Sequence, residues 1–316
     1  MSTKRLAIVC SGQAGQRREM LDGVLGAPDV EELCMTGGEL LGNDLESWWR
    51  GLDDEALFAN ENAQFAIALY QLATWQRIRH LIPEPALIAG YSLGEVTAYH
   101  VAGAIDADET LRLVKRRFRA MNTASSAIST SGGCMLLWRG KMSEAAELSV
   151  LKNALDVAIV RRRGELVFAG PANSVDSFLR DMGGDNPNLI RLQISTPSHS
   201  HYLASAAASF RTTLEESGLN APVVPVLAGI DGMRIRTREQ AIGALSRQID
   251  TTIRWDRCMD ALDEAGITAV IELGPGNDLA NLIEVEHPRI SARSMDDFRD
   301  WRSATEWLRE KGIYLR

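Results

Sequence analysis

Histidine is scarce in this chain of 316 residues: His80, His100, His199, His201 and His287 are all there are. Histidine is the side chain that titrates nearest neutrality, so the search for a general base is a short one. Cysteine is scarcer still. Cys10, Cys34, Cys134 and Cys258 are far apart, with no C-x-x-C pair, which excludes a zinc knuckle or a disulfide framework and implies reduced thiols in a cytoplasmic protein. No run of 18 apolar residues occurs, so no membrane span is expected. The charged N-terminus leads into an apolar segment too short for a signal peptide, and Leu6–Cys10 reads as a first strand. A net charge of −8 argues against general nucleic-acid affinity. Low-complexity tracts and internal repeats are also missing.

What is present is an alternation of strand and helix. After Leu6–Cys10, helical patterns run over 39–52 and 63–81. An apolar strand at 85–90 then precedes a helix, and a second helix covers 107–123. This rhythm predicts an α/β fold with a parallel sheet covered on both faces. Residues 132–195 change key. Strands at 133–138, 155–160, 165–169 and 189–194, with helices at 143–153 and 173–182, spell βαββαβ, a ferredoxin-like split arrangement. The expected organisation is a hydrolase-like parallel-sheet subdomain, residues 1–128 and 196–316, with a ferredoxin-like subdomain, 129–195, inserted. Helices at 202–217, 238–250, 255–265 and 277–284 and strands at 223–227 and 269–273 complete the large part.

The sequence Gly90-Tyr91-Ser92-Leu93-Gly94 follows the strand and opens the helix. Serine between two glycines at a strand-to-helix turn is the pattern of a nucleophile elbow, with the hydroxyl displayed where backbone N–H groups can stabilise an oxyanion. It points to acyl chemistry and leaves hydrolysis and transfer open. Serine needs a base. His80, His100 and His287 read as surface or packing residues. The segment Ser195-Thr-Pro-Ser-His-Ser-His201 lies after a strand and before a helix, and His199 and His201 are equal candidates on spacing alone.

The order of these motifs resembles that of malonyl-CoA:acyl carrier protein acyltransferases over nearly the whole chain. Gly90-Tyr-Ser-Leu-Gly-Glu95 is similar to the family's Gly-His-Ser-Leu-Gly-Glu, and Ser11-Gly-Gln-Ala-Gly-Gln16 to its Pro-Gly-Gln-Gly-Ser-Gln. Leu111–Arg117 matches its helix ending in arginine, Pro197-Ser198-His199 its Pro-Ser-His, and Arg247-Gln248, Trp255 and Gly274-Pro-Gly276 its later landmarks. The resemblance implies Ser92 as nucleophile and selects His199 as base. It implies an oxyanion hole from the backbone N–H groups of Leu93 and Gln13, and a backbone carbonyl near Gln248 that orients the histidine in place of a carboxylate. Arg117 would hold the malonyl carboxylate, with Gln64, Tyr91 and Ser198 beside the substrate. No cofactor is permanently bound and no metal is expected. Malonyl-CoA is the expected donor, and an acyl carrier protein, an acidic partner, the acceptor.

Arg161, Arg162 and Arg163, three in a row, read either as a solvated turn or as a dock for an acidic or phosphorylated partner. As a dock they would form a positive rim with Lys115, Arg116 and Lys141. The chain departs from the family at Tyr91 (for histidine), at Phe65 after Gln64, and at the Arg161–Gly164 turn. These departures fit a divergent member serving a polyketide pathway or a malonate decarboxylase. A serine hydrolase or thioesterase is the other reading of the elbow. It would need a carboxylate such as Asp181 or Asp185 ahead of His199, and both fall in the inserted subdomain.

Overall fold

The structure is a computed structural model and describes residues 4–128, 132–183 and 186–314. The chain begins with β1 (Leu6–Cys10), then α1 (Glu31–Leu41), α2 (Leu45–Gly51), α3 (Asp54–Phe58), α4 (Asn60–Ile78), β2 (Leu87–Gly90), α5 (Gly94–Val101) and α6 (Ala107–Ser126). A second unit follows with β3 (Gly133–Arg139), α7 (Glu144–Lys152), β4 (Asp156–Arg162), β5 (Glu165–Pro171), α8 (Ala172–Asp181) and β6 (Leu189–Arg191). The chain returns through α9 (Ala204–Glu216), β7 (Val226–Leu227), β8 (Arg234–Ile235), α10 (Arg238–Arg247), β9 (Ile253–Arg254) and α11 (Trp255–Glu264). It ends with β10 (Ala269–Glu272), α12 (Asp278–Glu286), β11 (Ser291–Ser294) and α13 (Trp301–Glu310).

The large sheet runs β11-β10-β1-β2-β7-β8, parallel except for the β7–β8 pair. Its side chains alternate between two cores, as the period of two in a strand requires. Leu6, Ile8 and Cys10 of β1 pack with α4 and α6, while Ala7 and Val9 face the other way. The second sheet runs β6-β3-β5-β4, the ferredoxin-like order, and adds β9 beside β4. That fifth strand comes from residues 253–254, outside the 129–195 span expected for the insert. One face of this sheet, Met135, Leu137, Ile159 and Val167, shares a core with Ala7, Val9 and Ala89 of the large sheet. The other face is covered by Val150, Val175 and Phe178 of α7 and α8.

Two differences from the sequence pattern have local causes. The helix expected over 39–52 is two helices. Gly42 ends α1 at φ 71°, and the Asp44 side chain caps α2 by accepting the Ser47 N–H at 2.7 Å. Strands β8, β9 and β11 and helices α3 and α13 went unread, β8 and β9 because each has two residues and lacks any periodicity to detect.

Loops following β1, β2 and β10 meet at the carboxyl ends of their strands, where ligand crevices of open α/β sheets lie. Here the crevice is a cavity of about 340 Å³ between the two sheets, reached by Gln13, Tyr91 and Pro275.

Candidate active site

The elbow is fixed by packing that only glycine permits. A Cβ on Gly94 would stand 2.1 Å from the Cys10 carbonyl oxygen, so the first turn of α5 lies directly on the end of β1. Ser92 takes φ 56°, a left-handed conformation costly for a non-glycine residue and common where strain serves a site. Its Oγ lies 2.8 Å from His199 Nε2. His199, also left-handed at φ 61°, is tied down by its own N–H to the Ile249 carbonyl (2.8 Å), and its Nδ1 lies 2.6 Å from the Gln248 carbonyl oxygen. A carbonyl can only accept, so Nδ1 carries the proton and Nε2 presents its lone pair to the serine hydroxyl. Burial, reinforced by the Arg117 charge and opposed by the Gln248 hydrogen bond, holds the imidazole down at about 3, and it is therefore neutral near pH 7. Serine, neutral imidazole and carbonyl form a proton-accepting chain.

His201 is elsewhere. It is exposed and bonds Asp156 at 2.7 Å through Nδ1. Asp181, the carboxylate a hydrolase triad would call on, bonds Ser149, Lys152 and Asn153 inside the small unit. Asp185 lies outside the described residues. No carboxylate touches His199 among the described residues, which is a departure from the usual hydrolase order.

The loop after β1 packs against the elbow: a Cβ on Gly12 would lie 2.7 Å from the Tyr91 carbonyl oxygen and 3.4 Å from Ser92 Cβ. Among the described residues, the backbone N–H groups of Gln13 and Leu93 donate to no protein acceptor, and both flank the serine. Unspent donors beside a nucleophile can receive an oxyanion. Gln71 ties the loops together. Its amide nitrogen donates to the carbonyls of Ser11 (2.8 Å) and Gly274 (2.7 Å), and its oxygen accepts from Thr97. Sequence reasoning passed over Gln71. The signal was there, since Gln64 and Gln71 fall seven apart on one face of the mostly apolar middle of α4.

Arg117, on α6, is fully buried. One terminal nitrogen donates to Gln64 Oε1 at 2.6 Å, the other to Gln248 Oε1 at 2.9 Å, and Nε has no partner. Among the described residues no carboxylate pairs with it directly. Desolvation draws its pKa down to about 10, against the favourable field of Glu95. A buried cation held by neutral amides can take an anion as a charge-assisted partner. Gln248 joins this group to the base. Its side-chain nitrogen donates to the Ser92 carbonyl and to Glu95 Oε2, each at 2.7 Å. Glu95 is fully buried and its pKa is raised to about 7 by desolvation. Its role was not read from the sequence, although a glutamate inside a buried helix was a signal.

Tyr91 lines the cavity with its ring edge-on to Trp255, centroids 5.4 Å apart. Burial lifts its hydroxyl above the ordinary phenol range, against the pull of Arg161. Ser198 is buried and bonds within its own turn, Oγ to the Thr196 carbonyl at 3.4 Å.

Residues 161–163 do not form one exposed rim. Arg161 lines the cavity wall with Ile159, at a β-bulge where the β4–β5 register shifts between Val160 and Arg162. It is buried and bonds both Glu165 and Asp278, joining the small unit to α12. Arg162 bonds Glu165 (2.9 Å) and Glu286 (3.2 Å). Arg163 alone is exposed, and the Gly140 N–H bond to the Gly164 carbonyl (2.7 Å) sets its turn beside exposed Lys141. Lys115 is bonded to the Leu40 carbonyl. Among the described residues no group of three His, Cys, Asp or Glu side chains is arranged to hold a metal ion, and no helix is long and apolar enough to cross a membrane.

A family model described as acyl transferase domain matches residues 24–307. The chain is 28% identical to the malonyl CoA-acyl carrier protein transacylase of Haemophilus influenzae, over 96% of this chain and 99% of that one. It is 25% identical to the Bacillus subtilis protein of the same name, over 97% and 98%. Among solved structures, the malonyl-CoA:acyl carrier protein transacylase of Xanthomonas oryzae superposes with a TM-score of 0.87 at 27% identity, covering 97% of this chain and 99% of that one. A malonyl-transacylase in complex with its type II polyketide synthase acyl-carrier protein superposes at 0.86 with 27% identity, covering 96% and 99%.

Proposed function

The chain belongs to the acyl transferase domain family, and on that premise we propose that it moves a malonyl group from coenzyme A to the phosphopantetheine-type thiol of an acyl carrier protein. The observation that carries the choice of acyl group is Arg117, a buried guanidinium with no carboxylate of its own. A malonyl carboxylate completes that site as a charge-assisted pair, and an acetyl group leaves it unfilled.

Chemistry follows from the proton positions. Ser92 Oγ attacks the thioester carbon as its proton passes to His199 Nε2, and the carbonyl oxygen takes up the negative charge facing the Leu93 and Gln13 N–H groups. The C–S bond breaks, the CoA sulfur takes the proton from His199, and an ester remains on Ser92. The carrier thiol then runs the sequence in reverse, giving its proton to His199 and leaving as the malonyl thioester. Gln248 serves twice: its carbonyl fixes the imidazole tautomer, and its amide oxygen steadies Arg117, with Gln64 holding the other side. The groups assigned to the chemistry are all side chains and backbone of this chain, with no resident cofactor, and the setting is cytoplasmic. The carrier docks in the cleft between the units, where Arg163 and Lys141 supply exposed positive charge.

Incubation with a panel of acyl-CoAs followed by intact-protein mass measurement tests this reading. Malonyl is expected to accumulate on Ser92 in preference to acetyl or butyryl, and Ser92→Ala to carry nothing. Indifference to the carboxylate would overturn the assignment.

A further inference from the structure

The Gln248 side-chain amide makes three hydrogen bonds and could in principle face either way, because exchanging N and O by a half-turn leaves its shape almost unchanged. What decides between the two orientations is the partners. The Ser92 carbonyl and Glu95 are acceptors, so the NH2 end must face them, and the oxygen is then aimed at Arg117. In the flipped state an oxygen would face two acceptors and an NH2 would face a guanidinium. From this we infer that Glu95 is a positioning residue for acyl selection: together with the Ser92 carbonyl it holds the Gln248 amide in the one orientation that lets Gln248 accept from Arg117, and so sets the guanidinium where a carboxylate is read. The proposal rests on the malonyl-transfer reading above.

Glu95 is suited to that task. It sits three residues beyond the nucleophile in the first turn of α5, so the elbow and the clamp are referred to the same rigid element. Its Oε2 is itself held by the Gly229 N–H at 3.1 Å, while Oε1 has no partner among the described residues. Among the described residues it is the one carboxylate bonded to Arg117, Gln248 or Gln64, and it makes no direct bond to the guanidinium. Its hydrogen-bonded link to the guanidinium runs through Gln248, and Glu95→Gln separates that link from the carboxylate's own field on Arg117.

Loading rates with malonyl-CoA and acetyl-CoA, measured for wild type, Glu95→Ala, Glu95→Gln and Gln248→Met, test the inference. Glu95→Ala is expected to raise KM for malonyl-CoA and lower the malonyl-over-acetyl ratio by about tenfold or more, the loss that follows when a charged group's buried hydrogen bond is broken. Acetyl loading should persist, showing that fold and nucleophile are intact. Glu95→Gln, which keeps an oxygen facing the Gln248 amide, should recover most of the ratio. Gln248→Met retains the main-chain carbonyl on His199 but loses the amide bonded to the Ser92 carbonyl, so both rates are expected to fall, malonyl more than acetyl; that fall in the ratio keeps the test alive if Glu95→Ala does not fold. An unchanged ratio in Glu95→Ala or Gln248→Met, or an equal fall for both donors, overturns the proposal. A wild-type enzyme that loads acetyl and not malonyl overturns the functional reading and this proposal with it.

Discussion

Removing the Arg117 guanidinium separates carboxylate recognition from the acyl chemistry. In Arg117→Ala the nucleophile and base keep their partners, since Ser92, His199 and the Gln248 carbonyl bond one another and not the arginine. Two groups lose a donor, Gln64 Oε1 and Gln248 Oε1. Each buried acceptor left unpaired costs about 1–3 kcal/mol of stability, offset in part because a desolvated charge is removed as well. The malonyl carboxylate loses a buried charged partner, a truncation worth about 2–5 kcal/mol, or about 30- to several-thousandfold in kcat/KM. Because the carboxylate is bound in both ground and transition states, most of the loss should fall on KM. The assay is quenched-flow formation of the acyl-enzyme with malonyl-CoA and acetyl-CoA, alongside thermal denaturation. Malonyl loading should collapse and acetyl loading stay near its wild-type rate, so that the preference inverts. A common fall for both donors in a folded protein would show that Arg117 supports the fold and does not read the carboxylate.

Two other expectations follow from the geometry. His199 is held at about 3, so NMR of its ring should show a neutral, Nδ1-protonated imidazole from about pH 5 to 8; a transition near the ordinary histidine value would contradict this. Below that ordinary value the unfolded chain takes up a proton that the folded site refuses, so this residue makes stability fall as pH drops from 6.5 towards 3. Gly94→Ala forces a methyl group to 2.1 Å from a backbone oxygen that cannot yield without moving β1. A loss of about 3 kcal/mol or more is expected, with loading abolished. A variant with wild-type melting temperature would refute the packing argument.

The parts of this account that could be read in the sequence are those written locally. The elbow is one pentapeptide, and β1 and the βαββαβ rhythm declare themselves through apolar periodicity. The base was narrowed to two histidines two residues apart, and nothing in their spacing distinguishes them. The difference is tertiary, since His199 faces the turn after α10 and His201 faces Asp156. Arg161 was the opposite case. Three consecutive arginines look solvated, but β4 turns the first inward, where Glu165 from the next strand and Asp278 from α12 meet it. The Glu95–Gln248–Arg117 chain joins residues from positions 95, 117 and 248, and no single window of sequence shows their contact.

The central claim, transfer in preference to hydrolysis, is tested most directly by following the fate of the ester on Ser92. Enzyme loaded with labelled malonyl is mixed with holo acyl carrier protein or with buffer, and the label is tracked with time. Rapid passage to the carrier thiol, with slow release to water and no loading in Ser92→Ala, is the predicted result. Release to water at the same rate with or without the carrier would contradict it.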